Sequence, residues 1–381
     1  MGEITFWSSV ALTFYAYAGY PCALMAIGIF RARPVRKAHV TPRVSFVIAA
    51  RNEEARIAQK LENTLAQDYP ADALEIMVAS DCSTDRTDAI VRACGERIRL
   101  VRAPERQGKE AAQRLALLEA SGDVLVFSDV ATALKPDAVS TIVRNFADPT
   151  VGCVSSVDRF VDADGRVSGE GAYVRYEMFL RTLESRVNTL IGLSGSFFAA
   201  RRDVCQQWAL NTGDFTTLLR TVEMGLRGVI DPGSAGYYRN IADERREFDR
   251  KVRTVARGMT ALAANRRLLN PFLYGLFSWQ LASHKLCRWL VPFALMGAAV
   301  SNAFLVAQSS FYAATFAAQC VFYGAAVAGL WSRSRFLRVP AFFLLSNVAV
   351  LVAWFRYLRG DRITTWTPSE RTSTLPQAGS S

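Results

Sequence analysis

Three short apolar runs govern what this chain can fold into: Val44–Ala50, Leu74–Ser80 and residues 123–128. Each is β-branched or aromatic in character, each is bounded by polar residues, and helical stretches separate them. Residues 53–66 carry Ile57, Leu61 and Leu65 at helical spacing behind two acids, which favour a helix N-terminus. Residues 108–119 follow with Leu115, Leu117 and Leu118. Such alternation predicts an α/β fold, a mostly parallel sheet covered by helices. Ligands of these sheets bind outside the carboxyl ends of the strands. Here the ends read Ala49-Ala-Arg-Asn-Glu-Glu54, Asp81-Cys-Ser-Thr-Asp85 and Ser128-Asp129. Carboxylates and hydroxyls from three strand ends therefore face one crevice. Asp81 and Ser83 could instead merely cap the helix from Arg86 onward, a role that leaves Asp129 unexplained.

The flanks are apolar. Residues 4–30 carry no charge, and residues 289–332 hold a charge-free stretch long enough for two crossings at about 20 residues each. Residues 339–355 form a shorter third candidate. Of the net charge of +11, Arg31, Arg33, Arg36 and Lys37 stand directly behind the first apolar stretch, and only Glu3 precedes it. The positive-inside rule then puts the intervening domain in the cytoplasm and the chain in the inner membrane as a multi-pass protein. A cleaved signal peptide is not expected, because the basic n-region is missing and the apolar run is too long. The basic balance suits anionic membrane lipids and a diphosphate ligand; nucleic acid is not expected as a partner. One span before the domain and three after it would leave the C-terminus outside, yet Arg356, Arg359 and Arg362 prefer the inside. Either residues 339–355 lie in the interface or the charge rule fails here.

The seven cysteines are scattered without a Cys-x-x-Cys pair, and His39 and His284 are the only histidines. That composition disfavours a structural zinc site and a Ser-His-Asp hydrolase. Gly108-Lys109 is not a P-loop, which needs a glycine at position 103 and Ser or Thr after the lysine; the chain has Ala103 and Glu110. Lys109 at a helix start is either a nucleotide partner or an ordinary surface lysine. Residues 151–157 read as a strand and 172–190 as a helix. In Leu193-Ser-Gly-Ser-Phe-Phe198, Gly195 either lets a sugar approach the backbone or marks a plain turn. Asn211-Thr-Gly-Asp-Phe215 opens a helix, Asp231-Pro-Gly233 reads as a turn, and residues 245–267 form a basic amphipathic stretch suited to a membrane surface. The expected organisation is a membrane helix (1–30), a basic linker (31–42), the α/β domain (43–245), amphipathic interfacial helices (246–287), two or three spans (288–358) and a polar tail (359–381).

Ala-Arg-Asn-Glu-Glu, Ser80-Asp-Cys-Ser-Thr-Asp-Arg-Thr87, Gly108-Lys-Glu-Ala-Ala112 and Phe127-Ser-Asp129, in that order, resemble a family-2 glycosyltransferase. More narrowly, the chain is similar to the membrane-bound branch with cellulose and hyaluronan synthases, over the catalytic domain to about residue 260. The resemblance implies a GT-A fold and an inverting hexosyl- or N-acetylhexosaminyl-transferase. The donor would be a nucleotide-sugar, a UDP-sugar in the first instance, and the acceptor lipid-linked or a polysaccharide. It further implies that Asp81 binds the nucleotide base, with Asn52, Glu53 and Ser83 lining that end; Lys109 joins them as a candidate nucleotide-binding residue. Asp129 matches the first aspartate of the Asp-x-Asp motif that holds Mg2+ or Mn2+. Asp214 matches the general base of the Thr-Glu-Asp motif, and Arg253 the diphosphate-steadying arginine of Gln-x-x-Arg-Trp. Ser194 and Gly195 fall in the sugar pocket.

Three motifs depart from the family. Asp129-Val-Ala131 lacks the second metal ligand, Thr212-Gly-Asp214 lacks the acid beside the base, and Arg250-Lys-Val-Arg-Thr254 lacks the tryptophan that would stack on the acceptor sugar. That last loss argues against a processive exopolysaccharide synthase, which stands as one alternative. Another is a catalytically weak nucleotide- or carbohydrate-binding subunit of an export complex. Residues 364–371 resemble the family's C-terminal Trp-containing element or are simply a tail.

Overall fold

The computed structural model describes residues 1–161, 172–206, 213–239, 244–332 and 334–361. Asn211, Thr212 and residues 362–371 of the sequence expectations lie outside them. In chain order the first half runs α1 (Gly2–Phe30), β1 (Val44–Ala50), α2 (Ile57–Leu65), β2 (Leu74–Ser80), α3 (Thr87–Ala93), β3 (Arg99–Arg102), α4 (Lys109–Glu119), β4 (Val124–Asp129), β5 (Ala133–Leu134), α5 (Ala138–Val143) and β6 (Val151–Val161). Then come α6 (Ala172–Val187), β7 (Phe197–Arg201), α7 (Arg202–Gln206), α8 (Asp214–Glu223), β8 (Arg227–Arg239) and α9 (Glu244–Ala264). The chain ends in α10 (Leu276–Leu305), α11 (Ser310–Gly329) and α12 (Arg335–Leu358). Two compact units result: Ile27–Ala242, and Met1–Ala26 with Asp243–Ile363.

The first unit is a GT-A-like α/β sandwich. Its eight strands run in the order β3-β2-β1-β4-β7-β6-β8-β5. β1 is buried along its whole length, as its continuous apolar run requires, and pairs in parallel with β2 on one side and β4 on the other. Alternate residues of the strands feed two cores. Phe46, Ile48, Val78 and Val126 pack under Ile57 and Leu61 of α2 and Val139 of α5. Val47, Met77, Leu125 and Phe127 pack under Ala112 and Ala116 of α4 and Leu218 of α8. The strand order reverses between β1 and β4, which opens a crevice at their carboxyl ends. β7 runs antiparallel beside β4 and starts at that crevice, which leaves the residues just before it at the crevice mouth.

One local expectation is overturned. Asp231-Pro-Gly233 is not a turn between elements but a bulge inside β8: Ile230 pairs with Ser155 and Ala235 with Val157. Proline cannot donate to the ladder, so a break in pairing is where it fits. Buried Asp231 accepts from Lys37 Nζ at 2.8 Å, Asn145 Nδ2 at 2.7 Å and the Gly233 N–H at 3.0 Å. The helix expected from residue 53 begins at Ile57, where the Glu53 carbonyl accepts the first backbone bonds.

The basic linker is strapped to the sheet. Arg227 donates to the carbonyls of Arg33 and Pro34 and pairs with Asp148 at 3.2 Å, both side chains being buried. Burial would raise the Asp148 carboxyl, but Thr150, the Arg36 N–H and the Arg227 charge hold it down at about 2.

The second unit is helical. α1, α10, α11 and residues 336–358 of α12 are long and apolar enough to cross a membrane by length and composition. α1 runs antiparallel to α10, with Phe6 against Ala298 and the Tyr15 hydroxyl between Ser283 Oγ at 2.7 Å and Trp279 Nε1 at 2.9 Å. Outward-facing Phe14, Ile29, Phe304 and Val321 are exposed, an apolar surface of the kind that faces lipid. The amphipathic stretch is α9, whose apolar residues Val252 and Ala256 pack on Ala349 and Ala353 of α12.

Removing the strap should be costly. Arg227→Met leaves the Asp148 carboxylate buried without its cation, a loss of about 3 kcal/mol, and should lower the thermal-unfolding midpoint of the purified protein in lipid by several degrees. An unchanged midpoint would show that the strap contributes nothing.

Candidate active site

The crevice is built first from backbone turns. Asn52 and Cys82, at the ends of β1 and β2, both adopt left-handed conformations, with φ of 50° and 55°. Such residues are uncommon, and they recur where a fold is bent to a task. The Asn52 side chain holds the two turns together: its Nδ2 donates to Thr84 Oγ1 at 3.2 Å and its Oδ1 accepts the Thr84 N–H at 2.9 Å. Its backbone N–H donates to Ser83 Oγ. Arg51 reaches across to the carbonyls of Asp81 and Cys82.

Asp81 does not cap a helix. It is fully buried, and its Oδ1 accepts the backbone N–H groups of Gln107 and Gly108 at 2.9 and 3.0 Å. Gly108 has φ of 101°, a conformation that favours glycine, so the turn into α4 can present both N–H groups. The other oxygen, Oδ2, is buried with no hydrogen-bond partner. An unsatisfied buried carboxylate oxygen is costly, and a ligand N–H would satisfy it. Ser83, equally buried, accepts from the Asn52 N–H and from Ser80 Oγ rather than capping α3.

Lys109 is no ordinary surface lysine. Its ammonium is bonded to Asp129 Oδ1 and donates to the Gly195 carbonyl at 2.9 Å. Burial alone would lower its pKa, but the attraction of Asp129, reinforced by Glu110 and Asp214, leaves it raised. Asp129 ends β4, and its N–H donates to the Ser196 carbonyl, which fixes the 194–196 loop beside it. A Cβ on Gly195 would stand 3.0 Å from Asp214 Oδ2, so the absent side chain makes room for that carboxylate. Asp214 opens α8 and accepts the Phe215 N–H at 2.9 Å. Glu53, almost buried, pairs with Arg56 at 2.6 Å; burial raises its pKa against that pairing, with repulsion from Asp129 and Asp85 adding to the rise.

Of the residues singled out from sequence, Asn52, Ser83 and Asp81 share one end of the crevice. Lys109, Asp129, Gly195 and Asp214 share the other, with Glu53 close enough to Asp129 to feel its charge. Ser194 belongs to the loop beside them. Arg253 lies in the helical unit on α9, among Arg250, Arg257 and Arg356.

Two residues escaped the sequence reading. Asp158 accepts from Ser194 Oγ at 2.5 Å and Ser196 Oγ at 3.1 Å, pinning the 194–196 loop. It directly follows the predicted strand 151–157, so the strand-end rule used for Asp81 and Asp129 would have found it. Lys60 is fully buried on the apolar face of α2 and donates to Ser128 Oγ at 2.8 Å and the Thr132 carbonyl at 2.7 Å. A lysine between Ile57 and Leu61 on that stripe was its signal. Burial pulls its pKa down to about 7, with Asp129 opposing.

Among the described residues no group of three His, Cys, Asp or Glu side chains could cage a metal ion. Asp129 offers a single carboxylate next to a bound cation, Lys109. Magnesium-type sites are commonly of this form, one or two carboxylates completed by substrate phosphates, so the residues present fit a cation that arrives with a diphosphate.

Comparison with known proteins follows the same lines. Residues 45–208 match the model of Glycosyl transferase family 2. The chain is 34% identical over 118 residues to a Beta-monoglucosyldiacylglycerol synthase of Synechocystis, covering 30% of this chain and 25% of that one. It is 27% identical over 219 residues to the Succinoglycan biosynthesis protein ExoO of Rhizobium meliloti, covering 53% and 62%. The chain therefore spans between a quarter and somewhat under two-thirds of these curated relatives. Among solved structures, the mannosyltransferase PcManGT of Pyrobaculum calidifontis, in complex with GDP-Man and Mn2+, superposes with a TM-score of 0.73 at 25% identity, covering 95% of this chain and all of that one.

The buried amine yields a pH test. A lysine titrating near 7 when folded and near its usual ~10.4 when unfolded binds fewer protons in the folded chain across that window. Stability from Lys60 therefore rises with pH between about 7 and 10. Relative to Lys60→Met, the wild-type unfolding midpoint should climb by several degrees from pH 7 to pH 9. A constant difference would show that Lys60 is charged in the fold.

Proposed function

We propose that this chain, whose residues 45–208 match the model of Glycosyl transferase family 2, is an inverting membrane glycosyltransferase. It would move a sugar from a nucleoside diphosphate donor to a lipid-linked or polysaccharide acceptor at the inner membrane, with the α/β unit in the cytoplasm. One observation carries the reading: Asp129, Lys109, Gly195 and Asp214 converge at one end of the crevice, and the unpartnered Oδ2 of Asp81 waits at the other. Four apolar helices and a relative named for a diacylglycerol product support membrane association.

The chemistry follows from these positions. The acceptor hydroxyl oxygen bonds to the anomeric carbon as the bond from that carbon to the diphosphate oxygen breaks, which inverts the configuration. Asp214 takes the hydroxyl proton as general base. Lys109 stands where charge grows on the leaving diphosphate and neutralises part of it. A divalent cation held by Asp129, such as the Mn2+ of the archaeal relative, would supply Lewis-acid stabilisation of the same oxygens. Asp81 accepts an N–H of the nucleobase, with Asn52, Glu53 and Ser83 lining that end. Ser194 and Gly195, held by Asp158, border the sugar. Arg253 is assigned to the diphosphate on its motif alone. Among donors we favour a UDP-sugar, with GDP-mannose as the competing class.

Nucleotide release from UDP- and GDP-sugars by the purified protein in lipid, with native lipid extract as acceptor, tests this. Asp214→Asn should lose at least about 10²-fold in turnover, the scale of a removed general base, while still binding nucleotide. Turnover surviving in that variant would overturn the assignment. Asp81→Asn exchanges an acceptor for a donor, and should weaken nucleotide binding about tenfold or more without lowering the unfolding midpoint. Unchanged affinity would remove Asp81 from the base site.

A further inference from the structure

Helix α12 poses a contradiction. Its residues 336–358 are apolar enough to cross a membrane, yet a crossing would carry Arg356 and Arg359 to the side opposite the basic linker. Contacts within the helical unit resolve it, because the other helices form a depth scale. At one end of the antiparallel pair, Gly2 of α1 meets Leu305 of α10, and Phe6 and Trp7 meet Tyr312 and Phe311 of α11. At the other end, Tyr17 of α1 faces the Arg288 guanidinium. Trp289 and Leu305 stand about 24 Å apart along α10, at 1.5 Å per residue.

α12 begins at the Arg288 end. The last residue of α11, Gly329, packs against the Leu337 carbonyl and Ala341. Trp354 lies about 26 Å further along α12, and in a crossing helix antiparallel to α11 it would reach the level of Gly2 and Leu305. Instead its Nε1 donates to the Trp289 carbonyl at 2.9 Å, and its ring meets Phe293 at 6.0 Å. Midway, Phe343 touches Tyr17 of α1 and Phe322 of α11, at 5.6 and 5.9 Å between ring centres. Both ends and the middle of α12 thus hold to one end of the scale.

The partner on its other side agrees. Phe342, Ser346, Ala349 and Ala353 form one stripe against α9: Lys251 donates to Ser346 Oγ at 3.0 Å and its ammonium sits 3.6 Å over the Phe342 ring. α9 carries Glu244, Arg245, Arg246, Glu247, Asp249, Arg250, Lys251, Arg253 and Arg257, far too many charges for a span. A helix packed along it over three turns shares its depth.

We propose that α12 does not cross the membrane but lies in its plane beside α9, against the lipid headgroups on the side where α1 ends. Phe336, Val339, Phe355 and Leu358 are exposed on it and would dip into the acyl boundary, while exposed Arg338 and Arg359 meet anionic headgroups. The Arg359 guanidinium lies 3.9 Å over the Phe355 ring, the pairing of charge and apolar body expected at that boundary. The membrane is then crossed three times, by α1, α10 and α11. The basic residues Arg31–Lys37 after α1, and Arg338, Arg356 and Arg359 on α12, then fall on one side, as the charge rule requires.

The proposal rests on the membrane reading above, and its test separates the two. A short epitope is placed, one per full-length protein, after Ser381, after Gln308 in the α10–α11 turn, or after Glu96 in the exposed turn before β3. Each is probed in sealed vesicles of both orientations. The in-plane helix predicts that the Ser381 and Glu96 tags are reached from the same side, and the Gln308 tag from the other. A Ser381 tag on the Gln308 side would show that α12 crosses and would overturn the proposal alone. Gln308 and Glu96 tags on one side, with the protein extracted by alkaline carbonate, would overturn both it and the membrane reading.

Discussion

The crevice depends on one buried cation. Lys109 is bonded to Asp129, donates to the Gly195 carbonyl and feels Glu110 and Asp214. Without an ammonium there, the negative charges of Asp129 and Asp214 would lose the cation that both attract, and the 194–196 loop would lose one of its bonds, at the Gly195 carbonyl. The same charge balance makes the site receptive to a ligand that brings negative charge along with a cation of its own. A diphosphate fits that description, and a neutral sugar alone does not. Site assembly and ligand choice therefore share a single electrostatic cause.

What places Lys109 there is the topology of the sheet. β1 and β4 are neighbours whose connections leave in opposite directions, so the turns after β1, β2 and β4 converge. The left-handed turns at Asn52 and Cys82 bend two of those connections into contact, and Gly108 lets the start of α4 lean over Asp81. The antiparallel β7 starts at the same mouth, which places the 194–196 loop before it there, where Asp158 from β6 pins it. Lys60 braces the underside by tying Ser128 and Thr132 to α2.

Much of this was legible in local pattern. β1 and β2 fall where the apolar runs put them, β4 is shifted by one residue, and α4 starts at the lysine after Gly108. The carboxyl-end rule directs attention to Asp81 and Asp129 because their strands are buried and continuous. Long-range structure was not legible. Asp231-Pro-Gly233 carries turn residues, yet pairing with β6 on both sides turns it into a bulge. Lys60 looks like a polar interruption until Ser128 and Thr132 arrive from 68 and 72 residues away. Composition leaves residues 339–355 as either a span or an interfacial segment, because it records apolarity but not depth. The in-plane proposal rests on the contacts of Trp354 and Phe343 with other helices, which no local pattern encodes.

Stereochemistry tests the central claim most directly. Direct displacement with Asp214 as the base requires that the acceptor oxygen arrive opposite the departing diphosphate. Proton NMR of the purified product would read the coupling at the anomeric carbon and compare it with that of the donor. An inverted configuration, β from an α-linked donor, is the predicted result. A retained configuration would contradict the account, since it requires a second displacement or front-face attack for which Asp214 as base has no part.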